Sequence, residues 1–252
     1  IENHSQIISL PGTKMLNDKF PEIKNDGEYT LYIRCSDGNG NENRDEFTVN
    51  FCVEKTPDLT APEIKRANPI AGSAVLYQVD NLSVNFYTNE PVEGCKWDRR
   101  DADYSNMQNT MTCNNNVWEM NAEYLYTCAT TLTGIKDKQE NQFFVRCKDL
   151  SGNTMQQSYD YNLFGTQPLN ILETEPSGIL GGPTSTITVG LKVSTDNGYR
   201  NGEAKCYYSP NGQEDSYIEM AETGGNKHSQ NLDLVEGAYS YYYKCIDAGG
   251  NT

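Results

Sequence analysis

Apolar and polar residues alternate along this chain in short runs, and three of those runs end in the same way. Tyr29, Leu31, Ile33 and Cys35 share one parity while Thr30, Tyr32 and Arg34 hold the other. A period of two places the first set on one face of a β-strand. The spacing recurs at Phe143, Val145 and Cys147, and at Tyr239, Tyr241, Tyr243 and Cys245, each time with a basic residue directly before the cysteine. After the cysteine comes Asp-x-x-Gly-Asn: Asp37 to Asn41, Asp149 to Asn153 and Asp247 to Asn251. These are turn-forming residues. Two copies continue into a second alternating run, Phe47, Val49 and Phe51 in one and Tyr159, Tyr161 and Leu163 in the other, so each reads as a hairpin. The third copy stops at Thr252, and its closing strand is expected to be absent.

The intervening segments give the other strands. Ile64 opens one; Leu82, Val84 and Phe86 alternate in the next, which stops at Asn89-Glu90-Pro91; then comes Cys95-Lys96-Trp97. Residues 98 to 125 are polar, with Asn114, Asn115 and Asn116 marking a loop. Further on, Ile187, Val189, Leu191 and Val193 alternate, Asn197-Gly198 turns, and Cys206-Tyr207-Tyr208 stands where Cys95-Lys96-Trp97 stood. The stretch from His4 to Leu10 matches that from His228 to Leu234, and both lead to Gly-x-Tyr, at Gly27-Glu28-Tyr29 and Gly237-Ala238-Tyr239. A tyrosine at that bend is similar to the corner of sandwich domains, where its phenol ties the start of a strand to nearby backbone; the middle copy has Asn141 there. No helical window of useful length competes. With a repeat of roughly 100 residues, the chain divides into modules: 1–57 with last strands only, 58–165 complete with an insertion, and 166–252 without its final strand. Asp58-Leu59-Thr60-Ala61-Pro62 is the proline-stiffened joint between the first two.

Composition agrees with thin modules. At 36% hydrophobic residues the chain has too little apolar side chain for one large core and enough for several two-sheet ones. Eight cysteines beside two histidines, without Cys-x-x-C or His-x-x-x-His, indicate disulfides and an oxidising, extracellular setting. A formal charge of -15 argues against nucleic acid as a partner, because the cations that would replace counterions along a phosphate backbone are missing. No run of about 18 apolar residues is present, so contact with a membrane is expected only through an anchor outside this sequence, as is any export signal. Asn3 and Asn81 begin glycosylation sequons, which count only on an exported chain.

Several features together resemble the tandem immunoglobulin-like, or fibronectin-like, repeats of archaeal and bacterial cell-surface and filament proteins. They are Thr88-Asn89-Glu90 ahead of the Cys-Lys-Trp strand, the Gly-x-Tyr bend, and the aromatic strand ending in a basic residue, cysteine and Asp-x-x-Gly-Asn. The resemblance covers nearly the whole chain and implies an all-β fold of tandem, disulfide-stapled sandwiches. Aligning the copies then pairs Cys95 with Cys147 and Cys206 with Cys245, each closing a loop of about 40 to 50 residues at about 4 kcal/mol on the loop-entropy account. Cys113 and Cys128 lie in the insertion of the middle copy and pair there as a local clasp. For Cys35 two arrangements stand: a bond to Cys52, or bonds from both to residues beyond this sequence.

The candidate chemistry is sparse. Asp37, Asn39 and Asn41 offer oxygen at alternate positions, as a calcium loop does, but Glu42 stands where such a loop needs glycine and Thr48 where it needs its closing acid. The favoured expectation is that Asp37, Asp149 and Asp247 each cap their own turn and hold no metal. The two histidines occupy equivalent places in two copies and are expected near strand edges, without catalytic duty. No nucleophile elbow, phosphate loop or cofactor motif is present. Trp97 is expected in the core; Trp118, in the insertion, is the candidate contact for surface glycans. The chain is thus expected to be a non-enzymatic structural protein of a filament, stalk or surface layer that associates with itself, with subunits completing each other's sheets. The alternatives are an adhesin or carbohydrate-binding array, and the accessory region of a larger secreted hydrolase.

Overall fold

The computed structural model describes residues 28–52 and 57–252. The sequon at Asn3, His4 with its matching segment, and Gly27 lie outside the described residues. The first described unit is a hairpin, β1 (Glu28–Ile33) against β2 (Phe47–Cys52), with Ile33 opposite Phe47, Leu31 opposite Val49 and Tyr29 opposite Phe51. The middle module contains β3 (Ile64–Asn68), β4 (Ser73–Val75), β5 (Asn81–Thr88), β6 (Val92–Asp98), β7 (Asn109–Thr110), β8 (Thr112–Cys113), β9 (Tyr126–Thr133), β10 (Gln139–Asp149) and β11 (Tyr159–Gly165). These form two sheets, β4-β11-β10-β6-β7 and β3-β5-β9-β8. The last module contains β12 (Leu169–Glu175), β13 (Thr186–Asn197), β14 (Ala204–Ser209), β15 (Ile218–Glu219), β16 (Lys227–Val235) and β17 (Tyr242–Asp247). Its sheets are β12-β13-β16 and β15-β14-β17. The fold is therefore all-β, built of immunoglobulin-like sandwiches. Helix among the described residues is limited to two single 3-10 turns, Val117–Glu119 and Glu214–Ser216.

Period-two alternation produces this arrangement because each sheet has one apolar face. Val84 and Phe86 of β5 with Cys128 and Leu132 of β9 bury against Trp97, Phe143, Val145, Tyr161 and Leu163 of the facing sheet. The rings meet edge to face, Phe86 on Tyr161 at 5.1 Å and Trp97 on Phe143 at 5.5 Å between centroids, the geometry that opposed aromatic quadrupoles favour. The fully buried Tyr161 keeps its hydroxyl satisfied by donating to the Pro69 carbonyl at 2.9 Å. The last module packs the same way around Val189, Leu191, Val193, Cys206, Tyr208, Met220 and Cys245, a smaller set.

Three local readings change. β9 follows the polar insertion and alternates Tyr126, Cys128 and Leu132 inward, but four of its other positions are threonine, which hides the pattern. The insertion itself contributes β7 and β8 as short edge pieces. The strand carrying Cys245 begins at Tyr242, so Tyr239 and Tyr241 lie ahead of it. The counterpart in the middle module, β10, begins further upstream because β11 pairs with its residues 139–145 while β6 pairs with 144–149. In the last module the β14 partner covers Tyr242 to Asp247, and 237–241, lacking the other partner, are not strand.

Candidate functional site

The most repeated structure in the chain is the Asp-x-x-Gly-Asn turn, and its hydrogen bonds are the same in all three copies. Asp37 accepts through Oδ1 from the backbone of Asn39 and Asn41 at 2.9 Å each, and through Oδ2 from the Asn41 side chain at 2.8 Å. Asp149 does so with Ser151 and Asn153, and Asp247 with Gly249 and Asn251, at 2.7–2.9 Å. The fourth residue, Gly40, Gly152 or Gly250, has φ of +82°, +99° or +86°, a region that strains any side chain with a Cβ. Both oxygens of Asp37 are thus engaged by its own turn. These donors, the Asn41 amide first, hold its carboxyl below the usual carboxylate range. The sequence alone suggests capping here, and the geometry shows it.

Position in the fold then separates the copies. Asp37 is exposed, whereas Asp149 and Asp247 are 1% and 4% accessible. The turn asparagines of the two buried copies reach outward to the chain that precedes their own module. Asn153 donates to the Asp58 carbonyl in the first joint at 3.1 Å. Asn251 donates to the Thr166 hydroxyl at 2.8 Å and accepts from the Tyr77 backbone at 3.1 Å, while Thr166 donates to the Val75 carbonyl at 2.7 Å. One asparagine therefore links the last module, the short segment between β11 and β12 that holds Thr166, and the middle module. Phe164 and Tyr199 add an edge-to-face contact across the same junction, 5.8 Å between centroids. At the first joint the carboxylates of Asp58, Glu90 and Asp149 gather within 4.8 Å. Burial, then the charges of Asp58 and Asp149, push the Glu90 carboxyl up.

The basic residue before each cysteine points to the outer face. Arg34 pairs with Glu46 at 2.9 Å, Arg146 with Asp101 at 2.9 Å and Lys244 with Glu214 at 3.0 Å. Arg146 is the buried one, and it also donates to the carbonyls of Met155 and Gln156, pinning the insertion to the turn that leads into β11. At the bend, Tyr239 donates to the Val235 carbonyl at 3.3 Å. Asn141, in the equivalent place, is buried and binds the backbone of Lys136 through both ends of its amide. An amide does there what a phenol does elsewhere.

Disulfides join Cys95 to Cys147, Cys113 to Cys128 and Cys206 to Cys245. In each case the two cysteines face one another on neighbouring antiparallel strands of one sheet. Each bond therefore fastens strand to strand, unlike the sheet-to-sheet bridge of antibody domains, and the two sheets are held together by apolar packing. Cys35 and Cys52 are exposed and unbonded. Cys52 lies opposite Glu28 at one end of the hairpin while Cys35 follows Ile33 at the other, so no bond between them is compatible with this register.

His228 lies on β16, an edge strand of its sheet as expected, but its side chain is buried. Its two ring nitrogens meet the hydroxyls of Thr195 and Thr223 at 3.0 and 2.8 Å, a pair of partners that no sequence spacing announces. Burial pushes the imidazole below its usual value. An unfolded chain would protonate this ring below about pH 6.5 while the folded one keeps it neutral, so stability is lost as pH falls through that value. Thermal unfolding should thus occur at lower temperature at pH 5.5 than at pH 7.5, with much of the difference gone in His228→Asn; titration at about 6.5 of the His228 imidazole NMR signal, identified as the one missing from His228→Asn, would contradict this. Trp118 sits in the insertion on the first 3-10 turn, 55% exposed, and Asn81 opens β5 with its side chain exposed.

Among the described residues no helix is long and apolar enough to cross a membrane. No family model matches the chain, and no curated protein does. Among solved structures it is similar to the fibronectin(III)-like modules of CbhA from Clostridium thermocellum, at 11% identity and a TM-score of 0.42, covering 75% of this chain and 87% of that one. It is also similar to the ectodomain of a teleost fish polymeric Ig receptor, at 9% identity and a TM-score of 0.26, covering 69% and 94%. At these values the likenesses add no argument of their own, and the sandwich reading stands on the strand pairing.

Proposed function

We propose that this chain is a structural, extracellular string of immunoglobulin-like sandwiches that associates with itself to build a filament, stalk or surface layer. The observation that carries the reading is the junction between the middle and last modules, where Asn251 donates to the Thr166 hydroxyl and accepts from the Tyr77 backbone while Thr166 donates to the Val75 carbonyl. A bonded joint restricts motion between neighbouring sandwiches, as a string that carries load requires.

A second copy would also cover apolar side chains that the hairpin leaves in water among the described residues, Ile33 at 44% and Phe47 at 69% exposure. Light scattering after size-exclusion chromatography is expected to show assemblies that grow with protein concentration and ordered polymers by negative-stain microscopy. A folded monomer at every concentration would sink the proposal.

The adhesin reading has one observation in its favour, the exposure of Trp118 on the insertion. An aromatic ring held at a surface is a stacking platform for a sugar face. Glycan-array binding that disappears in Trp118→Ala, from a chain that stays monomeric, is the result that would put this reading first.

A further inference from the structure

The two bridges of the middle module lie on different sheets yet touch. Cys95 and Cys147 belong to β6 and β10, Cys113 and Cys128 to β8 and β9, and the Sγ of Cys95 is 3.4 Å from the Sγ of Cys128 across the sheet interface. The sulfurs of Cys95, Cys113 and Cys128 all lie within 4.8 Å of one another. Access to this group is one-sided: Cys95, Cys128 and Cys147 are 0–1% accessible, and Cys113 is half-buried. We infer that these four cysteines form an exchanging pair of disulfides, in which opening the outer bridge moves the inner one onto Cys128 and ties the two sheets together covalently.

A small dithiol, the reductant, attacks Cys113 Sγ as thiolate, the Cys113–Cys128 bond breaks and Cys128 leaves. The second thiol of the reductant then displaces Cys113, so that two electrons and two protons have entered the protein and the reductant has become a cyclic disulfide. Cys128, as thiolate, attacks the Cys95 Sγ beside it. The Cys95–Cys128 bond forms, the Cys95–Cys147 bond breaks, and Cys147 departs as thiolate and takes up the proton that Cys128 gave up. This second step consumes no reductant. Its product joins β6 of the five-stranded sheet to β9 of the four-stranded one, a connection that none of the three bridges in the present structure makes. Attack on buried Cys95 by an outside thiol is blocked, while attack by Cys128 needs no approach at all. The last module has a single bridge, Cys206 with Cys245, and no second sulfur pair beside it, so it serves as the internal control.

The test is limited reduction of the intact chain with dithiothreitol, quenching with iodoacetamide and peptide mapping. The expected one-bridge species of the middle module carries alkyl groups on Cys113 and Cys147 and a linked Cys95–Cys128 peptide. Alkylation of Cys113 and Cys128 with Cys95–Cys147 retained would overturn the inference, and so would simultaneous alkylation of all four without any one-bridge species. Cys113→Ser, which leaves three cysteines in the group, gives a second readout without reductant. Iodoacetamide should label Cys147 in it, and label confined to Cys128 would again count against exchange.

Discussion

Asp149→Ala is expected to destabilise the middle module by about 3 kcal/mol, and Asp37→Ala, which deletes the same set of hydrogen bonds, to cost under about 1 kcal/mol in its own hairpin. The difference comes from surroundings. Removing the Asp149 carboxylate, itself 1% accessible, takes the acceptor from the backbone N–H groups of Ser151 and Asn153 and from the half-buried Asn153 amide. A buried donor without an acceptor costs about 1–3 kcal/mol, and partial entry of water keeps the sum below three such losses. At exposed Asp37 water takes over at once. Asp247→Ala should resemble Asp149→Ala, because Asp247 also accepts from the Tyr199 backbone at 2.8 Å. Both tryptophans, Trp97 and Trp118, belong to the middle module, so urea denaturation followed by their fluorescence reads Asp149→Ala directly. Equal effects at positions 37 and 149 would show that burial of the turn is not what makes it costly to lose.

Replacing Cys206 and Cys245 together with alanine is expected to be worse still. The bond closes a loop with a sequence separation of 39, for which the chain-entropy account gives about 4 kcal/mol, and the core of the last module is the smaller of the two. For a module of this size the loss corresponds to a drop in Tm of about 15 °C or more. Since the bridge lies within one sheet, the two faces that pack together remain intact, and far-UV circular dichroism at low temperature should keep its β signature. Differential scanning calorimetry would then resolve an early transition for the last module from an unmoved one for the middle module. A single unshifted transition would mean that apolar packing alone secures the last module.

What the sequence discloses follows the range of each interaction. The turn at Asp37, Asp149 and Asp247 is legible because donor and acceptor lie within four residues of each other. Strand parity is legible for the same reason, and it places Phe86, Trp97, Phe143 and Tyr161 in the core. The start of β17 is not, since a strand exists only where a neighbour is available and Tyr239 has none among the described residues. His228 does lie on the edge strand β16, but its burial is not legible, because Thr195 reaches it from β13, 33 positions away. Likewise, alignment of the copies pairs the cysteines but says nothing of the approach of Cys95 to Cys128, which depends on how two sheets stack. The reach of Asn251 to Tyr77 spans 174 positions of sequence and has no local trace at all.

That last contact bears on how such a chain would carry load. If every module were a bead on a loose thread, a rotation imposed at one end would be absorbed by the first connecting segment. Here Thr166 is pinned on one side by Val75 and on the other by Asn251, so the connecting segment has no slack in which to swivel. On the proposed assembly, a cable made from these units would transmit torque as well as tension through the Asn251 amide and the Thr166 hydroxyl at this junction.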